Sequence, residues 1–286
     1  MKILLYFFRE IGATRRCPVT DAKPMSANQH YPDLQEKAVL ITGVSRQAGI
    51  GAALARAFAA QGCRLFLTGY LRADQESYPE SALGEEPELL IEELSPFCDV
   101  IHYVDLDLAQ LHAPETIFET ATDLLGPITI LINNAAHSAQ EGWEQLTLAS
   151  LDCHYAINVR APVQLATLFV RQFVGGIGGR IINLTSGQDV GPMPETLAYA
   201  TTKGALASFT RSLAKGVAKR GITVNAIDPG PTDTGWMSTE FKARLEATSE
   251  FGRVGRPEET AGLALFLASE AAAWITGQVI HARGDF

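Results

Sequence analysis

The chain has 286 residues, 47% of them hydrophobic, and a formal net charge of −9, which suits one sizeable α/β domain better than two small ones. Its acidic balance, with a pI near 5.2 and no Lys/Arg-rich run or aromatic-basic interleaving, repels polyanions and excludes nucleic acid as a partner. Cys17, Cys63, Cys98 and Cys153 stand far apart, with no CxxC pair and no histidine at zinc spacing, so they read as reduced thiols of a cytoplasmic protein without a metal site.

The first segment, "MKILLYFFRE", has an apolar run of six residues before Arg9, too short for a membrane span and below the usual length of a signal-peptide core. The stretch from Ile11 to Asp33 is polar and broken by prolines, and Met25 would serve equally well as a start. Residues 1–34 are therefore expected to be an irregular arm and 35–286 the folded domain.

From Gln35 onward short β-branched runs alternate with longer helical stretches. The expected strands are "AVLIT", "RLFLT", "VIHYVDL", "ITILINN", "RIINLT", "ITVNAID" and "ITGQVIHA". Helical spacing relates Leu54 to Phe58, Ile117 to Ala121 and Leu125, and Leu206 to Phe209, Leu213 and Val217. Gly62, Gly126 and Gly221 mark helix ends, while Pro114 and Pro257 mark starts. Pro162, inside the helix after Asn158, predicts a kink or a short preceding turn. Arg72 to Pro87 reads as a surface excursion. Alternating strands and helices imply right-handed crossovers and a doubly wound, Rossmann-type parallel sheet of about seven strands with helices on both faces. Ligands of such sheets sit beyond the carboxyl ends of the strands, at the switch point.

Two strand ends carry chemistry. The first strand runs into "TGVSRQAGIG", whose glycines Gly43, Gly49 and Gly51 precede a helix; five residues separate the first two, unlike the G-x-G-x-x-G fingerprint. Alone, this loop is either a phosphate cradle or a tight turn. The fifth strand ends at Ser186, and Tyr199 and Lys203 lie beyond it, the tyrosine thirteen residues on and the lysine four further, sharing one helix face. A nearby ammonium favours the phenolate of tyrosine, so Tyr199 can exchange a proton near neutral pH. Ser186 can hold the same oxygen by a hydrogen bond.

Together these residues resemble the short-chain dehydrogenase/reductase family from about Leu34 to the C-terminus. The glycine loop is similar to the family's Thr-Gly-x-x-x-Gly-x-Gly, "NNAA" to Asn-Asn-Ala-Gly, "INVRAP" to the helix asparagine segment, and "PGPTDT" to the segment that contacts the nicotinamide carboxamide. The resemblance implies a dinucleotide-binding catalytic domain, an NAD(P)-dependent oxidoreductase acting on a small carbonyl or alcohol substrate, and 3-oxoacyl-carrier-protein reductases as a common outcome. It implies Tyr199 as acid/base, Ser186 as the residue orienting the substrate oxygen, and Lys203 on the nicotinamide ribose. Asn158 is implied to hold a water for proton return. Cofactor contacts are implied for Gly43, Ser45, Arg46, Gly49, Ile50 and Gly51, for Asn134, Ala135 and Ala136, and for Pro229, Gly230, Thr232 and Thr234. Asp107 and Leu108 fit the adenine contact, with Asp105 as the other register. A homo-oligomer, dimer or tetramer, is implied as well.

The departures are specific. The glycine loop is two residues longer than the usual family form, as in divergent enoyl reductases, whose Tyr-to-Lys spacing is wider than here. Ala136 replaces a glycine, and "HARGDF" departs from the usual Asp-Gly-Gly ending. The second strand ends without a carboxylate to accept from ribose hydroxyls; Arg46 and Arg72 are in reach of a 2′-phosphate, so NADP(H) is expected over NAD(H). The opposing arrangement sends Arg72 to solvent and folds Asp74 back toward the ribose. His137 and His154 read as structural or solvated, and Trp236 and Met237 as either a cover over substrate or a packing hairpin. Specificity would reside in Gln188–Glu195 and Trp236–Glu246. The competing functions are a catalytically silent nucleotide sensor and a nucleotide-sugar epimerase or dehydratase.

Overall fold

The computed structural model describes residues 30–77, 86–174, 176 and 178–284. Seven parallel strands form one sheet: β1 (Ala38–Thr42), β2 (Arg64–Gly69), β3 (Ile101–Asp105), β4 (Ile130–Asn133), β5 (Gly179–Leu184), β6 (Ile222–Asp228) and β7 (Val279–His281). Their order is β3-β2-β1-β4-β5-β6-β7, so the direction of winding reverses between β1 and β4 and opens a crevice there.

The five central strands β1, β2, β4, β5 and β6 are covered on both faces, which is why they read as mainly apolar runs, whereas the edge strands β3 and β7 are only partly buried. Val39 and Ile41 face α1 (Ile50–Ala59), α3 (Glu86–Leu94) and α9 (Pro257–Ala268), in a cluster that includes Leu54, Phe58, Leu90 and Leu265. Ala38 and Leu40 point the other way, with Ile117 and Phe118 of α4 (Ala113–Leu125), Phe169 of α6 (Ala161–Gln172) and Val217 of α7 (Leu197–Val217). Phe58 and Phe169 are fully buried, and truncating either to alanine costs about 3–5 kcal/mol.

Two expectations need correction. Leu34 is 1% exposed and part of the core. Asp33 accepts from the Glu270 amide at 2.8 Å and the Tyr31 amide donates to Gln61, so the domain begins before the expected boundary at residue 35. The remainder of the arm, residues 1–29, lies outside the described residues. Arg72 to Pro87 is not a plain excursion: α2 spans Leu71–Ser77 and α3 begins at Glu86, whose side chain is buried; residues 78–85 lie outside the described residues.

The turn predicted from Pro162 takes a definite form. Between α5 (Leu148–Tyr155) and α6 the chain makes a π-helical turn, Ala156–Arg160, in which the Ala161 amide bonds back to Ala156 O. Pro162 then sits in the first turn of α6, where its missing N–H costs little. Asn158 stands inside the wide turn, a common place for a functional residue. Among the described residues no helix is long and apolar enough to cross a membrane, and no group of metal-ligating side chains occurs.

Candidate active site

The lip formed after β1 is built by close backbone approach. A Cβ on Gly51 would lie 2.1 Å from Gly43 O, and one on Gly43 would lie 2.7 Å from Ala135 Cα; neither position accepts a side chain without moving main chain. Asn134 Nδ2 donates to Thr42 O and Gly43 O, both at 2.9 Å, while Thr42 Oγ1 accepts from the amides of Asn134 and Ala135 at 3.1 Å. The β1 and β4 loops are thus one hydrogen-bonded unit. Gly49 caps α1 with no side-chain bond to its amides, leaving Ile50 to open the helix toward the crevice. Ala136 is exposed, so its extra methyl group meets no obstacle.

The additional length of the glycine loop is tied down from outside. Gln47 donates its amide to Glu86 Oε2 at 2.5 Å and its side chain to Glu86 O at 3.0 Å, and Arg56 reaches back to Gln47 O at 2.9 Å. Ser45 Oγ accepts from the Tyr70 amide at 3.1 Å. Arg46 donates to Thr234 O at 3.0 Å and faces Asp74 at 3.4 Å, with their side chains 14% and 24% exposed. Burial raises the Asp74 carboxyl above its ordinary range, opposed by a hydrogen bond with Ser45 and by the Arg46 charge. Arg72 does not approach this region: it points outward, 76% exposed, paired with Glu76. Of the two guanidinium groups expected to reach a 2′-phosphate, Arg72 points away from the glycine loop, whereas Arg46 lies within it and Asp74 has folded back to meet it.

At the end of β3, Asp105 caps the start of α2 through the Leu71 amide at 2.8 Å. Asp107 accepts from the Ala109 amide at 2.8 Å, and Leu108 is buried. Asp105 is thus committed to α2, while Leu108 packs in the core with Ile117 and Phe118.

Lys203 is fully buried in α7, and its Nζ donates to Leu184 O at 2.7 Å while lying 5.5 Å from the Tyr199 ring centroid. Burial pushes its ammonium down to about 8. Leu184 O belongs to the strand end that carries Ser186 two residues on, so this one bond holds helix and strand end together. Ser186 is half-buried, its amide bonded to Gln188 Oε1 at 3.1 Å. Asn158 accepts from the His137 amide at 2.8 Å and donates to His137 O at 2.9 Å and Thr202 Oγ1 at 3.0 Å. Both Nδ2 hydrogens are thereby used, leaving only a lone pair on Oδ1. Asn158 pins the β4 loop to α7 one residue before Lys203.

His154 is a structural residue: Nε2 accepts from the Ala139 amide at 3.2 Å, so Nδ1 carries the proton and donates to Ser150 O at 2.8 Å. His137 packs against it with ring centroids 4.4 Å apart, and burial holds its imidazole below the ordinary value, with His154 adding to the effect.

After β6 the chain turns at Pro229–Gly230, and Thr232 Oγ1 folds back to Pro229 O at 3.1 Å and Gly230 O at 3.2 Å. Thr232 and Thr234 are buried. Trp236 Nε1 donates to Thr232 O at 3.0 Å and its ring meets Phe241 of α8 (Thr239–Thr248) at 5.5 Å. The segment is therefore an internally packed hairpin as well as the far lip of the crevice, with α8 burying none of its own residues.

Sequence reading missed three participants here. Asp228, His281 and Arg283 form an ion cluster behind the β6 turn, and only the departure of "HARGDF" from the family ending hinted at it.

A family model described as Enoyl-(Acyl carrier protein) reductase matches residues 43–284. The chain is 46% identical over 254 residues to the uncharacterized oxidoreductase YjdA of Bacillus subtilis, covering 88% of this chain and 97% of that protein. It is 33% identical over 255 residues to the 3-oxoacyl-[acyl-carrier-protein] reductase FabG of Aquifex aeolicus, with 88% and 97% covered. The crystal structure of a short-chain dehydrogenase from Burkholderia cenocepacia in complex with NADP superposes with a TM-score of 0.77 at 28% identity, covering 88% of this chain and 98% of the other. Sheet order, glycine lip and near full-length similarity agree, and the chain belongs to the short-chain dehydrogenase/reductase family of oxidoreductases.

Proposed function

We propose that this chain transfers a hydride between NAD(P)(H) and the carbonyl or alcohol carbon of a small substrate, with Tyr199 as the acid/base. The carrying observation is the buried Lys203 ammonium beside the Tyr199 ring, fixed on the strand end that bears Ser186. A cation held there stabilises the tyrosine phenolate, the state that a proton donor must reach after carbonyl reduction.

The residues fit a dinucleotide. The close backbone packing at Gly51 and Gly43 and the α1 terminus that lacks a side-chain cap are the features of a pyrophosphate cradle, with Ser45, Arg46, Gly49 and Ile50 around it. Asn134, Ala135 and Ala136 would line the adjoining ribose. Asp107 and Leu108 would meet adenine, and Pro229, Gly230, Thr232 and Thr234 the carboxamide. When bound, the nicotinamide supplies or accepts the hydride. Tyr199 passes its proton to the substrate oxygen, and Ser186 donates a hydrogen bond to the same atom. Lys203, already poised near neutrality by burial, holds the ribose and returns the proton to Tyr199. Asn158 contributes by fixing the β4 loop against α7; with both amide hydrogens engaged, any water it holds must sit on an oxygen.

NADP(H) is the preferred cofactor in this reading, NAD(H) the weaker one. Arg46 in the glycine loop supports this, because a guanidinium can fork onto a 2′-phosphate, and the similar Burkholderia protein was solved with NADP. Asp74 competes for that guanidinium and limits the preference. The matching family model is described as an enoyl reductase, yet the four-residue Tyr199–Lys203 spacing favours a carbonyl substrate.

The test is absorbance at 340 nm with NADPH and NADH against a panel of carbonyl compounds. Tyr199→Phe should abolish turnover while cofactor affinity stays within about twofold, because only the proton-carrying hydroxyl is lost. Retention of a tenth of wild-type turnover would overturn the role of Tyr199.

A further inference from the structure

Behind the candidate site, β6 ends in a carboxylate that is buried outright. The Asp228 side chain is 1% exposed, and burial of a lone carboxylate would cost several kcal/mol. It is fully engaged instead. Oδ1 accepts from the Gly230 amide at 3.0 Å, Oδ2 from His281 Nδ1 at 2.9 Å, and Arg283 Nη1 lies 3.2 and 3.0 Å from the two oxygens. His281 Nε2 in turn faces Asp189 Oδ2 at 3.7 Å, on the turn beyond Ser186.

The path of Arg283 is the informative part. Its guanidinium lies over Gly187, where a Cβ would stand 2.2 Å from Nη1, and its main chain lies against Gly230, where a Cβ would stand 2.8 Å from Arg283 Cα. Gly187 is the neighbour of Ser186, and Gly230 opens the segment that leads to Thr232 and Thr234. One side chain therefore fills the gap between the turn after β5 and the turn after β6, anchored on the carboxylate that ends β6. Side-chain volume sets the spacing of those turns, and the ion pair sets where that volume sits.

We propose that Arg283 is a positioning residue: wedged between the Ser186–Gly187 turn and the Pro229–Gly230 turn and held by Asp228, it fixes the distance between the hydroxyl that orients the substrate oxygen and the segment that seats the nicotinamide. This rests on the function proposed above. It predicts that loss of Arg283 damages the reaction step more than binding, because each turn persists while their relative placement relaxes. Misplacement of about 1 Å is enough to slow a reaction by two orders of magnitude.

Arg283→Met, Arg283→Lys and the double variant Asp228→Asn/Arg283→Met test it; the double variant leaves no lone buried charge and guards against simple misfolding. At saturating cofactor, Arg283→Met and the double variant should both lose tenfold or more in kcat, with cofactor Kd changed less than about threefold. The isotope effect on kcat with cofactor deuterated at nicotinamide C4 should increase. Arg283→Lys should recover part of the rate. In the free chain, hydrogen exchange at the Val190 and Gly191 amides, which bond within their own turn, should stay as in wild type in Arg283→Met, while that at Gly230, bonded to Asp228, should quicken. Wild-type kcat in either methionine variant, or recovery of full rate in the double variant alone, overturns the proposal and leaves Arg283 as a mere counter-ion of Asp228. Absence of turnover by the wild-type chain on every carbonyl and both cofactors would instead overturn the function on which it rests.

Discussion

Lys203→Met should remove activity and yet stabilise the folded chain at neutral pH. The ammonium is fully buried, and its displacement from 10.5 to about 8 corresponds to about 3 kcal/mol of penalty on the charged form. Proton counting gives the sign. Between pH 8 and 10.5 the unfolded chain holds a proton that the folded chain has released, so wild-type stability rises with pH across that window. Below pH 8 both states are protonated and the penalty is present in full; above 10.5 both are neutral and it is gone. Methionine carries no such term. The lost bond to Leu184 O, worth about 1 kcal/mol, offsets the whole curve without changing its slope. Guanidinium chloride unfolding of the free chain at pH 7.5 and 10.5, monitored by far-UV circular dichroism, gives the comparison. The advantage of the variant over wild type should be about 3 kcal/mol larger at the lower pH. Parallel curves would refute the reasoning, since they would mean that Lys203 titrates alike in the folded and unfolded chains.

Gly51→Ala places a methyl group 2.1 Å from Gly43 O, a main-chain contact that must open. Cofactor affinity measured by fluorescence titration should fall at least tenfold, and unchanged affinity would remove the loop from the binding site. Asp74→Asn relieves Arg46 of its partner and should shift the NADPH-to-NADH affinity ratio toward NADPH. Arg46→Ala should weaken NADPH by about 1–3 kcal/mol while barely affecting NADH; equal losses for both cofactors would make Arg46 a support for Thr234 alone.

Strands and helix limits were legible because their causes are local. Doubly buried parallel strands must be apolar runs such as "AVLIT" and "RIINLT", and Gly126 and Pro257 stop and start helices through their own backbone constraints. Tyr199 and Lys203 were legible as a pair because one helical turn joins them. Side-chain partnerships across the fold carry no such mark. Arg46 meets Asp74 and Thr234, and Asp228 meets His281 and Arg283, through tertiary approach alone, so the sequence showed charged residues without their partners. Leu34 was misjudged for the same reason: one buried leucine after a polar, proline-broken stretch has no periodicity to announce it. The helicity of Arg72–Ser77 was hidden by polar residues, which decide little by themselves on an exposed helix.

The π turn at Ala156–Arg160 bears on how this gene tolerates insertions and deletions. A bond from the Ala161 amide to Ala156 O encloses one residue more than an α-helical turn, so α5 and α6 are out of phase by about 100° relative to a continuous helix. Loss of any single codon within this stretch would let the helix close into regular α geometry. The flanking faces, with His154 on one side of the join and the core residue Phe169 on the other, would keep their relative orientation, because one residue fewer removes the same rotation of about 100°. What such a deletion disturbs is the wide turn itself, where Asn158 makes its bonds to His137 and Thr202. In a codon-deletion scan these five positions should therefore leave the fold standing, unlike the strand interiors, while loosening the join between the β4 loop and α7.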